Sequence, residues 1–494
     1  MKSFLFILIT LLSIELLHAQ KVISSKDFGN NRSLIIHELP FTKGLEDGFV
    51  ILKEDKKGFF NFQKFNLQQN LLWDTKIVFD PQLNVPQVLI HQSEALLISF
   101  TVKELERNVI IELKKIDLTT GKITSEAKKM MPQFETRSTY PRISISNDLS
   151  KILLSHFVPA VSKSQELILL NTEGLTVEKT LQLNNDLFEP NRFNKFVIDN
   201  EGNVFFASIN EKLFRMDGFF IPSSGTEPLL LQHDIFFTRP MDNVPDVIIE
   251  VVEDSTYFIV AATGNIQNEL IGVKLVGFDF KNFEITFDTV YNFSFANVQN
   301  LYAKSISTSK YVKNGSLKKP ADLNGYALQE LRIDKNRNMV LFIEKNLQKS
   351  TFQKGFNSGN LLYTYNTNTK RQLQKSEDVI IMSFAQNGQL NWGNVVQKYQ
   401  VTKPFNYQLS YVSGISDDML NLLTWTKKSQ HSLQVTRIDL KSGNAVFAGK
   451  DILNNGTFTY HKNYSTWIDG NHLAITTQKN NKLNERTLHV VKID

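Results

Sequence analysis

Short apolar runs recur along the whole chain, each bounded by Asn, Asp, Gly or Ser. Lys151-Ile152-Leu153-Leu154, Asp246-Val247-Ile248-Ile249, Met339-Val340-Leu341-Phe342 and Val379-Ile380-Ile381-Met382 are of this kind. Runs of this length, rich in β-branched and aromatic residues and closed by turn formers, predict strands. Several are apolar on consecutive positions, the pattern of a strand covered on both faces. The stretch Ser93 to Lys115 has a helix-friendly composition. Its apolar runs are read as two strands, Ala95–Val102 and Val109–Ile116, joined by the charged turn Lys103–Asn108.

One hairpin pattern repeats: an apolar strand, then Asp or Asn, then a few turn residues often including Gly, then a second apolar strand. It occurs at Phe65-Asn66, Ile116-Asp117 with Gly121, Leu170-Asn171 with Gly174, and Met216-Asp217-Gly218. It returns at Phe278-Asp279, Gln386-Asn387-Gly388 and Ile438-Asp439 with Gly443. The polar side chain can bond the backbone of its own turn, and Gly supplies positive φ. Successive instances are 51, 54, 46, 62, 108 and 52 residues apart. A period near 50 filled only by strands predicts four-stranded blades stacked around a ring. The long interval spans about two periods, so one turn is expected to be disguised there.

A second hairpin lies earlier in several units, at Ile145-Ser146-Asn147-Asp148, Ile198-Asp199-Asn200-Glu201-Gly202, Ile333-Asp334-Lys335-Asn336 and Ile415-Ser416-Asp417-Asp418. Two turns alternating along a unit fit an up-and-down sheet. The last strand, Thr487 to Ile493, falls where a third strand should be. The missing fourth is expected from the N-terminal strand, Lys21–Ser24 or Leu34–Leu39. The expected fold is therefore an all-β propeller of about eight four-stranded blades, alternatively seven. It would occupy residues 20–494, with insertions near 294–324 and 348–375.

Composition narrows the function classes. The chain is 41% hydrophobic and 21% charged, with a formal net charge of +5 spread over 494 residues. That describes a globular protein without a basic stripe, so nucleic acid is not an expected partner. Lys318-Lys319-Pro320 reads as part of a solvated loop. Cysteine is absent, which excludes disulfides, thiolate metal sites and a Cys nucleophile. At the N-terminus, Lys2 precedes the apolar stretch Phe4 to Leu17 and then His18-Ala19-Gln20. This layout reads as a signal peptide, residues 1–19, cleaved after Ala19. The apolar stretch is short for a membrane anchor, and no later segment is long and apolar enough to span.

Pro141-Arg142-Ile143-Ser144-Ile145-Ser146-Asn147-Asp148-Leu149-Ser150-Lys151-Ile152 resembles the repeat of TolB-type propellers, with Asn for the usual Pro and Leu for the usual Gly. Gly388-Gln389-Leu390-Asn391-Trp392 and Asn70-Leu71-Leu72-Trp73 resemble the Gly…Trp strand of quinoprotein-like propellers, the second without the Gly. That group includes both quinone-cofactor dehydrogenases and non-catalytic periplasmic scaffolds. With Trp in only two units, no cofactor is carried over. The whole layout resembles uncharacterised exported proteins of Bacteroidetes, which implies no activity.

Candidate chemistry is sparse. Asp334-Lys335-Asn336-Arg337-Asn338 begins like a calcium loop, but Met339 and Lys345 stand where Gly and Glu are needed. A hairpin turn is the expected reading. Apart from His18 in the leader, the histidines are scattered: His37, His91, His156, His233, His431, His461, His472 and His489. None forms a close-spaced ligand pair. There is no G-x-S-x-G elbow, Walker A run, dinucleotide fingerprint or sialidase Asp-box. The 37 Phe residues are expected to fill the wedges between blades. No catalytic, cofactor or metal residue is assigned. The expected function is an exported, periplasmic or secreted, non-catalytic binding or scaffolding protein that meets a protein or glycan ligand of the cell envelope. The alternative is an extracytoplasmic carbohydrate or peptide hydrolase with its site in the central channel.

Overall fold

The computed structural model describes residues 20–27, 41–83, 86–103, 108–132, 142–155, 164–184, 195–210, 215–234, 243–253, 256–264, 269–303, 312–313, 316–317, 323, 325–348, 374–398, 400–402, 411–416, 418–427, 431–450, 458–460, 465–479 and 486–493. The leader expected at 1–19 lies outside them. Among the described residues no helix is long and apolar enough to cross a membrane.

The strands pair antiparallel in chain order, four to a sheet, eight times over. Blade 1 spans 41–78, blade 2 87–132, blade 3 142–184 and blade 4 195–234. Blade 5 spans 243–292, blade 6 326–402, blade 7 412–450 and blade 8 458–493. The two strands read from Ser93 to Lys115 are Glu94–Lys103 and Asn108–Asp117 of blade 2. Blade 8 is completed by Gln20–Asp27, which pairs antiparallel with Arg486–Ile493, Gln20 opposite Ile493. The expected N-terminal closure is thus made by the first of the two candidate segments.

Eight apolar clusters hold the ring together, one between each pair of neighbouring blades. Blades 1 and 2 share Phe62, Ile77, Leu97 and Ile116, and blades 6 and 7 share Phe342, Ile381, Leu422 and Ile438. The last contact closes the circle, since Phe49 and Ile51 of blade 1 pack on Ala474 and Val490 of blade 8. This arrangement explains the consecutive apolar residues. In blade 6, Met339, Leu341 and Ile343 face blade 5, while Val340 and Phe342 face blade 7. The structure is an eight-bladed β-propeller.

Aromatic rings fill the wedges as expected. Phe205 of blade 4 stacks on Tyr257 of blade 5 with centroids 4.4 Å apart, and Phe220 stacks on Phe280 at 4.7 Å. Indoles act as clasps; Trp467 of blade 8 donates to Val412 O in blade 7 at 3.2 Å, and two more hold matching places on fourth strands. Trp73, on the fourth strand of blade 1, donates its Nε1–H to Leu118 O in blade 2 at 3.1 Å. Trp392, at the matching place in blade 6, donates to Leu440 O in blade 7 at 2.6 Å. Each of these two rings lies against a turn glycine of the next blade, Gly121 or Gly443.

Two expectations need correction. The interval between the turns at Asp279 and Asn387 holds one blade, not two. Its extra length is the chain before blade 6, which includes the helix Phe295–Ala303 and a small ladder at 312–317, and the chain between its second and third strands. Asp217-Gly218 is also not a turn. Both residues lie inside the strand Arg215–Ile221, and the turn itself closes by a Gly225 N to Pro222 O bond of 3.0 Å. Gly218 is there because the Phe278 ring sits 3.0 Å from where its Cβ would be.

Candidate functional site: an ionic cluster at one end of blade 6

Up-and-down blades give the ring two ends. Turns between strands 1 and 2, and between strands 3 and 4, share one end; the other connections share the opposite end. At the turn end, polar side chains are consumed by the turns themselves. Asp334 Oδ1 accepts from the backbone N–H of Asn336 and of Asn338, both at 2.8 Å, and Asn338 Nδ2 bonds Asp334 Oδ2 at 2.9 Å. Asp199 and Asn203 of blade 4 repeat this arrangement. The hairpin reading of Asp334–Asn338 holds. Asp117 and Asp439 accept from the backbone of Thr120 and Ser442, each at 2.6 Å. For Asp117, the Thr120 bonds keep its carboxyl below the usual range, and the Ser442 bonds do the same for Asp439.

The opposite end of blade 6 is different. Its second strand, Met339–Gln348, is irregular between Glu344 and Asn346 where it faces the third, Gln374–Phe384. Its fourth strand is broken into Leu390–Val396 and Gln400–Thr402, both paired with the third. Lys398 lies in the break and turns inward, fully buried. Its Nζ donates to Glu344 Oε1 and to Ser376 Oγ, and to Gln400 Oε1 at 3.2 Å. Ser376 Oγ donates to the same Glu344 oxygen at 2.8 Å. Alongside, Lys345 Nζ is 4.0 Å from Glu377 Oε2 and 5.5 Å from the Tyr326 ring centroid. Tyr302, from the helix Phe295–Ala303, donates its hydroxyl to Asp378 Oδ2 at 2.8 Å and lies 3.5 Å from Tyr326 Oη.

All five ionisable groups, Glu344, Lys345, Glu377, Asp378 and Lys398, are buried. Taking charges out of water is costly unless each finds a partner. Among the described residues of the cluster, three carboxylates face two ammoniums. Asp378 carries the consequence. Burial pushes its carboxyl up to about 6, against the Tyr302 hydrogen bond that pulls it down; Glu377 adds to the rise and the two lysines oppose it. Burial likewise drives the Tyr302 hydroxyl far up, with the neighbouring Tyr326 and Asp378 adding to the effect, so it stays a donor. Chemically the cluster offers one carboxyl able to exchange a proton near neutrality, framed by groups already paired.

No site residue was assigned from sequence, and this cluster was missed. A trace of it was legible: Glu344-Lys345 follows the apolar run Met339–Ile343, and Ser376-Glu377-Asp378 precedes Val379–Met382. Charges directly continuing a strand buried on both faces are themselves candidates for burial. The histidines do not converge among the described residues. His472 Nδ1 pairs with Asp469 Oδ2 at 2.8 Å, and His489 Nε2 with Thr477 Oγ1 at 3.0 Å, both within blade 8. His91 ends the first strand of blade 2. The side chains of His37, His156, His233, His431 and His461, with Lys318 to Pro320, lie outside the described residues. Among the described residues, no three His, Asp or Glu side chains are placed to hold a metal ion.

No protein-family model matches the chain, and no curated protein matches it. Solved structures do resemble it. The β-propeller domain of the Trilobed protease from Pyrococcus furiosus is 8% identical, with 82% of this chain and 94% of that one covered and a TM-score of 0.33. A prolyl endopeptidase is 10% identical, covering 90% of this chain and 54% of its own, with a TM-score of 0.40. Prolyl oligopeptidase B from Galerina marginata is 8% identical, covering 88% and 56%, with a TM-score of 0.36. This chain spans about half the length of the last two. Likeness at these levels carries no argument about activity; the propeller stands on its own strand pairing.

Proposed function

We propose that this protein is an exported binding or scaffolding propeller, acting in the periplasm or outside the cell, with the connector end of blade 6 as its ligand-facing region. One observation carries the reading: blade 6 departs from the four-stranded repeat at one end of the ring, where a helix is added and a strand is broken. The helix Phe295–Ala303 and the strand break at Lys398 lie there, and both lengths of extra chain join the blade at that end. Rigid scaffolds present their recognition elements in this way. The ionic groups beneath are paired with one another, which suits a support for a recognition surface better than an open reaction centre. Phe295, half exposed at the start of the helix, supplies an apolar contact for a protein or glycan of the envelope.

The test is a quantitative pull-down from envelope fractions. It compares the natural chain, Phe295→Asp, and a variant with residues 350–372 replaced by a short Asn-Gly turn. The reading expects a reproducible partner that both variants lose while retaining strand content by circular dichroism. A partner held equally by all three chains would move the binding region elsewhere and overturn the assignment. A second reading rests on Asp378, whose raised pKa makes it a usable acid: an extracytoplasmic hydrolase of peptide or carbohydrate. Turnover of such substrates, abolished by Asp378→Asn, would establish it instead.

A further inference from the structure

The helix Phe295–Ala303 has nine residues. A helix this short is not stable alone in water, so it is held by what it packs against. Ser294 caps it, with Oγ accepting from Asn297 N at 3.2 Å. Val298, Leu301 and Tyr302 are buried in the apolar cluster shared by blades 5 and 6, while Phe295, Ala296 and Asn300 stay exposed. The packing is close: a Cβ on Gly393, in the fourth strand of blade 6, would fall 2.2 Å from Leu301 Cδ2. Ile380 and Met382 of the third strand belong to the same cluster. Asp378 lies two residues before Ile380, so its side chain takes the same side of the sheet. There the Tyr302 hydroxyl donates to Asp378 Oδ2 at 2.8 Å. The docked helix thus covers a buried carboxyl.

The groups around Asp378 set what its charge costs. The helix brings the Tyr302 hydroxyl, and Phe295–Ala303 holds no Asp, Glu, Lys, Arg or His. The first strand of blade 6, Tyr326–Ile333, brings Tyr326, whose Oη is 3.5 Å from that of Tyr302. The second strand brings Glu344 and Lys345, the third Glu377, and the break in the fourth Lys398, all buried. Lys345 Nζ is 4.0 Å from Glu377, and Lys398 is bonded to Glu344, so both ammoniums also serve another carboxylate. A charged Asp378 under the helix is therefore cut off from water, with the Tyr302 hydroxyl as its donor. Lifting the helix would hydrate it. A neutral carboxyl gains far less from the same step.

We propose that the helix Phe295–Ala303 is a pH-sensitive clamp on blade 6, loosened when Asp378 loses its proton. With the proton in place the covered carboxyl is neutral and the helix stays down. Once the proton leaves, opening brings water to the charge and the lifted form gains. Under the helix the carboxyl titrates at about 6, whereas a hydrated aspartate titrates near about 3.9. The docked form holds the proton more tightly, so docking is firmest below about pH 4, weakens as pH climbs, and changes no further above about pH 6. The two values lie about two pH units apart, which allows the opening equilibrium to grow by up to about a hundredfold. The clamp concerns the helix alone and stands whether or not a partner binds at this end of blade 6.

The experiment is amide hydrogen exchange of the full chain, read by mass spectrometry from about pH 4 to 8 and corrected for intrinsic exchange. Helix amides should exchange faster than those of the strand Met419–Lys427 in blade 7 at every pH, because lifting a helix is a smaller opening than unfolding the ring. The corrected helix exchange should rise by up to about a hundredfold between about pH 4 and 6 and then level off. Asp378→Asn should remove the rise. Tyr302→Phe should keep it and carry it to higher pH, since the hydrogen bond that favours the charged carboxyl is gone. Helix exchange that only follows the reference strand, or the same pH course in Asp378→Asn as in the natural chain, overturns the proposal. Should Asp378→Asn fail to fold, Tyr302→Phe decides, and an unshifted course in that variant overturns it as well.

Discussion

Glycine does two different jobs in the turns of this ring, and they can be separated. Gly443 and Gly174 both hold positive φ, +70° and +72°. A Cβ on Gly443 would lie 2.5 Å from the Trp392 ring, whereas one on Gly174 would meet only Thr176 Cγ2, at 4.0 Å. Gly174→Ala should therefore cost about 1 kcal/mol, the left-handed penalty alone. Gly443→Ala should cost that plus about 1–3 kcal/mol of overpacking against the indole. Urea denaturation of the two variants checks this, and equal losses would dismiss the clasp as an energetic feature. Trp392→Phe should cost about 1–3 kcal/mol, because Leu440 O would be left buried without its donor. The Gly…Trp resemblance was thus legible in the residues, but its meaning was not. The sequence places Trp392 and Gly443 far apart, and only the stacking of blade 6 on blade 7 brings them together.

At the scale of strands and turns, the sequence was readable wherever side chain and backbone agree locally. Asp199 and Asp334 bond their own hairpins, so both turns could be placed from spacing alone. Reading failed where a residue answers to a distant neighbour. Gly218 is set by the Phe278 ring of the next blade, and beside Asp217 it imitated a turn. The ionic cluster escaped for the same reason: Lys398, in the break of the fourth strand, reaches Glu344 on the second across the third, a contact that no local pattern announces. The closing strand offers a test at this scale. Removing residues 20–27 would strip Arg486–Ile493 of its outer partner and leave an unpaired sheet edge. Self-association should appear in size-exclusion chromatography, together with a lower unfolding midpoint. A truncated chain that stays monomeric with an unchanged midpoint would show that the eighth blade does not need this strand.

For the whole molecule, Asp378 ties stability to pH. Its carboxyl titrates near 6 in the folded ring and near 3.9 in an unfolded chain. Because the folded value is raised, the folded state binds the extra proton, and this group's contribution falls as pH climbs between those two values. The loss is complete above about pH 6 and on the order of 2–3 kcal/mol. Asp378→Asn removes the charge and keeps an acceptor for Tyr302. Its stability should equal that of the natural chain near pH 4, exceed it increasingly toward pH 6, and run parallel above. Thermal unfolding midpoints across that range provide the measurement. A constant difference at every pH would mean that this carboxyl carries no net proton linkage.

The pairing of Gln20–Asp27 with Arg486–Ile493 also dictates an order of events during synthesis. The first of these strands leaves the ribosome long before the other exists. Blades 1 to 7 are each built from contiguous chain, but blade 8 cannot be completed until residues 486–493 are available to pair with residues 20–27. Until then the strand Gln20–Asp27 waits without its mate, and the completed ring is held shut by two strands that lie more than 450 residues apart in sequence.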